Sequence, residues 1–316
     1  MAQYFTERLQ KVFHMIFKSY NQEMAQEGLR QLELIVNNQH TPEQPNHRAL
    51  RNDMTTSLEN EIDTKEDALK IANNPEAREI ADAYALLARI YAGPRFTWEE
   101  SNFPENNMRT YQCLHDSIRR CSPIGNLQAL RINGTITPTV EKDMLISFDD
   151  AFRIVYNYAE QGDAFCQYII GNVFFWRDDD RISLARDMIT PPRKSWSKRI
   201  QQSLQKGSIQ ERLATLQGTV SDETLQENAT KLAKEWFNKA LDNGLAMFQG
   251  NLRNIYIDEG DFNNARRVAL TAAELGNPTM MLYTGLDCHE HGKFEDAFTW
   301  FTKGAALGQA ESTAEL

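Results

Sequence analysis

The chain has 316 residues, 41% hydrophobic and 25% charged, with a net charge of −10. Its 16 Phe, 10 Tyr and 5 Trp supply a sizeable core and exclude a disordered chain. The acidic balance argues against a general nucleic-acid binder and an anionic membrane surface, since both need a basic face.

Glu7, Arg8, Lys11 and His14 interrupt the first apolar residues, so no signal-peptide core is read there. Nowhere do eighteen apolar residues run together, so no membrane span is expected and a cytoplasmic location is. Phe5, Leu9, Val12, Phe13, Ile16, Phe17 and Tyr20 recur at three- and four-residue steps and predict a first helix. Met24, Leu29, Leu32, Ile35 and Val36 predict a second. Residues 37–47 lack any apolar side chain and read as a loop, after which Leu50, Met54, Leu58 and Ile62 resume a helix. Thr64 with Asp67 resembles a helix cap, and Asn73-Asn74-Pro75 breaks the chain.

Ala77 to Tyr91 predicts a helix ended by Gly93-Pro94, followed by a loop holding Phe96, Trp98 and Phe103. Tyr111, Leu114, Ile118 and Cys121 mark another helix, stopped before Pro123. Residues 131–140 cluster β-branched side chains around Gly134 and Pro138, giving a loop or one short strand. The fold class is therefore all-α. Cys113, Cys121, Cys166 and Cys288 form no C-x-x-C or zinc spacing and read as reduced, buried thiols.

Self-similarity dominates the C-terminal half. Segments starting at Ala233, Ala265 and Ala297 align at steps of 32, as do Gly244, Gly276 and Gly308, and the pair Gly260 and Gly292. An earlier copy, Ala151 to Ala164, matches Ala233 to Ala246 at an offset of 82, one period plus 50 residues. Gly260 and Gly292 are expected to end first helices in a left-handed conformation, with Phe262 and Phe294 plugging the turn. Ala265 and Ala297 open second helices for close approach, and Trp236-Phe237 and Trp300-Phe301 supply bulk between repeats.

Ala-x-x-Trp-Phe-x-Lys-Ala-x-x-x-Gly at 233–244, its counterpart at 297–308, and Gly-Asp-Phe-x-x-Ala at 260–265 resemble the tetratricopeptide repeat superfamily and its Sel-one-like branch. Ala-Leu-Leu-Ala-x-x-Tyr at 85–91 is similar to another first helix. The resemblance implies an α/α superhelix, a solenoid of stacked antiparallel helix pairs. Residues 1–145 are then divergent helix pairs, and 146–316 are repeats with an insertion at about 177–228.

No phosphate loop, dinucleotide fingerprint, zincin or nucleophile-elbow motif is present, so no catalytic residue, metal or cofactor is assigned. His289-Glu290-His291 places its imidazoles on nearly opposite sides of a helix and reads as a polar helix end. His40 and His47 read as solvated. Asp178-Asp179-Asp180 reads as a solvated loop with local ion pairs, and Pro191 to Arg199 as a small basic patch around Trp196. In the superfamily that the chain resembles, the first helices line a concave groove that holds an extended peptide. Register puts Tyr91, Phe174 and Tyr256 at one equivalent position and Arg89, Asn172 and Asn254 two residues earlier, with Asn251 one turn before Asn254. An Asn amide offers two donors and an acceptor, which suits a peptide backbone.

The expected function is a non-enzymatic scaffold that binds a protein or peptide ligand through Arg89, Asn172, Asn251 and Asn254. The alternatives are an effector or regulatory enzyme with its site in the N-terminal half or the insertion, and self-assembly as a homodimer through the C-terminal repeat around Trp300 and Phe301.

Overall fold

The computed structural model describes residues 3–37, 64–93, 103, 105–132, 143–190, 221–247 and 249–316. Every regular element among them is helical. The N-terminal part holds α1 (Glu7–Phe17), α2 (Gln22–Asn37), α3 (Lys65–Asn73), α4 (Glu79–Tyr91), α5 (Asn107–Arg119) and α6 (Pro123–Ile132). Then come α7 (Phe148–Glu160), α8 (Ala164–Phe175), a 3-10 turn (Asp178–Asp180) and α9 (Ser183–Ile189). The C-terminal part holds α10 (Asp222–Asp242), α11 (Gly250–Asp258), α12 (Phe262–Glu274), α13 (Pro278–Glu290), α14 (Phe294–Ala306) and α15 (Ala310–Ala314).

Neighbours in sequence pack against each other: α1 on α2, α4 on α5, α7 on α8, and α11 through α14 in succession. The apolar stripe expected for α1 faces the core, with Leu9, Val12, Phe13, Ile16 and Phe17 buried, whereas Met24 of α2 is exposed. Thr64 caps α3 as its spacing foretold, its hydroxyl accepting from Asp67 N–H at 3.1 Å. Of the four cysteines, Cys121 and Cys166 are buried, Cys113 and Cys288 only half-buried, and all are free. The 37–47 loop beyond Asn37, the helix at 50–62, Phe96, Trp98, residues 133–140, the basic patch at 191–199, His40 and His47 lie outside the described residues.

The helix α6 departs from the sequence reading. Pro123 does stop α5, but it also begins the next helix, where its fixed φ suits the first position and its missing N–H costs nothing. Ser122 caps this start, its hydroxyl accepting from Gly125 N–H at 3.0 Å. Arg131 and Ile132, read as the start of a loop or short strand, are the last residues of α6.

The repeat turns form as expected. Gly260 and Gly292 both have φ +73°, which an L side chain rarely adopts. Asp261 N–H reaches back to Tyr256 C=O at 2.8 Å, and Lys293 N–H to Cys288 C=O at 2.9 Å. These bonds close the turns without help from Phe262 and Phe294, which are 57% and 63% exposed and plug nothing.

Within a pair, the two helices meet at a glycine against a phenylalanine, so Phe237 and Phe301 fill their own pairs rather than the space between repeats. A Cβ on Gly171 of α8 would stand 2.5 Å from the Phe237 ring of α10. A Cβ on Gly285 of α13 would stand 2.5 Å from the Phe301 ring of α14. The separation of these glycines, 114, is 82 plus 32, so they share one register. Phe301 is thus buried within its own pair, and Trp300 is half-buried with the Lys303 ammonium 4.4 Å from its ring centroid. The insertion falls inside a pair: α8 and α10 pack on each other although 46 residues separate Phe175 from Asp222.

A buried polar knot ties the N-terminus to this body. Arg78 and Asp82 are both buried and paired at 3.0 Å. Arg78 also donates to Ala72 C=O (2.8 Å) and Tyr4 C=O (2.7 Å), with its guanidinium 4.0 Å above the Tyr4 ring. Asp82 accepts from Ser122 Oγ at 2.7 Å and Tyr4 OH at 3.3 Å. Burial pushes the Asp82 carboxyl up to about 6, against the opposing pull of Arg78. Tyr4 N–H donates to Asp163 at 2.9 Å, so the knot spans both halves of the chain.

Candidate functional site

A cavity of about 430 Å³ opens where α4, α6, α8 and α11 meet. Residues three and four apart on a helix share a face, which is why α6 offers Leu127, Gln128 and Arg131 and α8 offers Tyr168, Ile169, Asn172 and Val173. Arg89 enters from α4 and Asn251 from α11, while Trp176 and Asp178 come from the residues that follow α8.

Three of the four expected residues therefore converge: Arg89, Asn172 and Asn251. Asn254 does not; it is exposed. At 100° per residue, Asn251 lies about 40° around the helix from buried Ile255, whereas Asn254 lies about 100° away and turns outward. Tyr91 and Phe174, from the neighbouring register position, are buried packing residues, and half-buried Tyr256 accepts from Asn238 Nδ2 at 2.9 Å.

Arg89 is only 2% exposed. It donates to Tyr168 OH at 3.1 Å, and its guanidinium lies 5.3 Å from the Tyr168 ring centroid. Burial pushes its pKa down, and Tyr168 partly restores it. Asp178 corrects the reading of the acidic run as solvated. It is 4% exposed, because both carboxylate oxygens accept from Arg131, through Nε at 3.0 Å and through Nη2. A bidentate guanidinium is one of the few partners that lets a carboxylate leave water. Asp180 at the other end of the turn does stay at the surface, paired with Arg186 at 3.4 Å. Trp176 is half exposed at the rim, with the Arg131 guanidinium 5.6 Å from its ring.

Gln128 is the residue that sequence reasoning missed. It is 3% exposed, and neither its amide nitrogen nor its amide oxygen has a hydrogen-bond partner among the described residues. The buried Oδ1 of Asn172 lacks one as well. Leaving such a group unsatisfied costs about 1–3 kcal/mol. Gln128 is invisible without α6, and the one signal for that helix was a proline placed where a helix can start.

A wider depression of about 950 Å³ lies over α11 to α14. Its three arginines are engaged: Arg266 with Asp287 at 2.6 Å, Arg267 with Asn238 at 2.6 Å, and Arg253 4.0 Å from the Tyr283 ring centroid. His289 packs edge-on to Phe294, and His291 approaches Arg266 Nη2 at 3.3 Å. Among the described residues no group of three His, Cys, Asp or Glu side chains is placed to hold a metal ion, and no helix is long and apolar enough to cross a membrane. Comparisons of the chain with protein-family models, curated proteins and solved structures find no match.

Proposed function

We propose that this chain is a non-enzymatic binding module, built as a tetratricopeptide-like or Sel-one-like array of helix pairs, that receives a peptide segment of a partner protein in the cavity between α4, α6, α8 and α11. The observation that carries this reading is the convergence of Arg89, Asn172 and Asn251 on one cavity with the unsatisfied amide of Gln128. The 32-residue step, the shared left-handed glycines and the repeated glycine–phenylalanine contact support the array. The described lining holds no Ser, His or Cys, and its one carboxylate is committed to Arg131, which favours binding over chemistry.

The test is capture from a random peptide library by the full chain. Wild type and Asn254→Ala should enrich one family of peptides, and an Asn172→Ala, Asn251→Ala double variant should lose it. Undiminished capture by the double variant would remove the cavity as the site. No enrichment by folded wild type would remove peptide binding altogether.

A further inference from the structure

The unsatisfied atoms of the cavity specify a chemistry, and this inference rests on the cavity being a binding site as proposed above. Gln128, in the cavity lining, holds a buried primary amide whose nitrogen and oxygen both lack a hydrogen-bond partner, and Asn172 adds a buried oxygen that lacks one. The inventory is one donor group and two acceptors, and exchanging the nitrogen and oxygen of Gln128 leaves it unchanged. The complement is a group with one acceptor and two N–H donors. A carboxylate only accepts, so it would leave both open oxygens unsatisfied. The N–H and C=O of one extended backbone residue share a side and can pair with both atoms of Gln128, but the next N–H points the other way, so the Asn172 oxygen is left without a donor. A primary carboxamide fits: its oxygen accepts from Gln128, its N–H on the same edge donates to Gln128, and its other N–H donates to Asn172.

The two cations do not compete for that role. Arg131 is held by Asp178, and Arg89 donates to Tyr168. Leu127, Ile169, Val173 and Trp176 complete apolar walls suited to the methylene stem of such a side chain. We infer that the cavity reads a primary carboxamide, the side chain of a glutamine or asparagine, by an amide-to-amide pair with Gln128 closed by Asn172.

Titration calorimetry of the full chain tests this with N-acetyl-glutamine methylamide, N-acetyl-glutamate methylamide, N-acetyl-norleucine methylamide and free glutamine. The glutamine probe should bind at least about tenfold tighter than the glutamate and norleucine probes, the discrimination expected when buried polar atoms are left unpaired. Gln128→Glu replaces the donor with a second acceptor and should remove that preference. Asn172→Ala, at a half-buried position that tolerates truncation, should weaken the glutamine probe several-fold. Circular dichroism and melting establish that each variant is folded.

Equal binding of glutamine and glutamate probes, tighter binding of glutamate, or no binding of any probe would overturn the inference. Binding of free glutamine but not of the blocked probe would keep the carboxamide and overturn the peptide. Peptides captured in the library experiment with no enrichment of glutamine or asparagine would do the reverse.

Discussion

Around Tyr4 and Arg78, packing unites residues that lie far apart in the chain. Arg78 reaches Tyr4 and Ser122 reaches Asp82 in the interior, and Tyr4 reaches Asp163 at its edge. Between α11 and α14 the left-handed glycines and the small alanines at helix crossings instead recur at a period, and charges pair at the surface, as in Arg266 with Asp287. The two regions spend polar groups differently. Burial makes the N-terminal pair expensive to break, because a lone charge would remain without water. Exposure makes the C-terminal pair nearly neutral, because solvent replaces the lost partner.

The largest test of this contrast is Arg78→Met. It strands the Asp82 carboxylate in the interior and should cost about 3–5 kcal/mol in urea unfolding. A loss below about 1 kcal/mol would mean that the knot is no anchor. Next come Gly171→Ala and Gly285→Ala, each adding a methyl 2.5 Å from a phenylalanine ring. Both should cost about 1–3 kcal/mol by overpacking. Similar values in the two would confirm that the insertion leaves its helix pair intact, and a cheap Gly171→Ala would mean that the α8–α10 pair has loosened.

A pH series sharpens the comparison further. Asp82 titrates near 6 when folded, above its ordinary value of 3.8, so the folded state holds the extra proton between those values. Its contribution is present below the unfolded pKa and is lost as pH rises through about 6. The stability difference between wild type and Asp82→Asn should therefore grow by on the order of 1 kcal/mol from pH 7 to pH 5. A flat or falling difference would mean that Arg78 outweighs burial. The smallest effect belongs to Arg266→Ala, whose exposed pair with Asp287 should matter by under about 1 kcal/mol in thermal unfolding. A larger loss would place the C-terminal repeats under the same rule as the knot.

The candidate site was partly legible. Arg89 and Asn172 were named from repeat register and Asn251 from its place one turn before Asn254, and all three line the cavity. Asn254 misled because its offset of 82 matched while its angular position on α11 did not. Gln128 and Asp178 left no readable trace: one belongs to a helix without a clear apolar period, and the other sits in an acidic run that looks solvated until Arg131 is seen across it.

By itself, the sequence determined the helical character of the chain, the 32-residue step and the left-handed turns at Gly260 and Gly292, since all three follow from local spacing and backbone freedom. Only the tertiary structure decided that Phe262 and Phe294 face water, that Asp178 leaves it, and that Gln128 meets Asn172 in a cavity. Those outcomes depend on which distant side chain arrives to replace solvent, and local spacing carries no information about that.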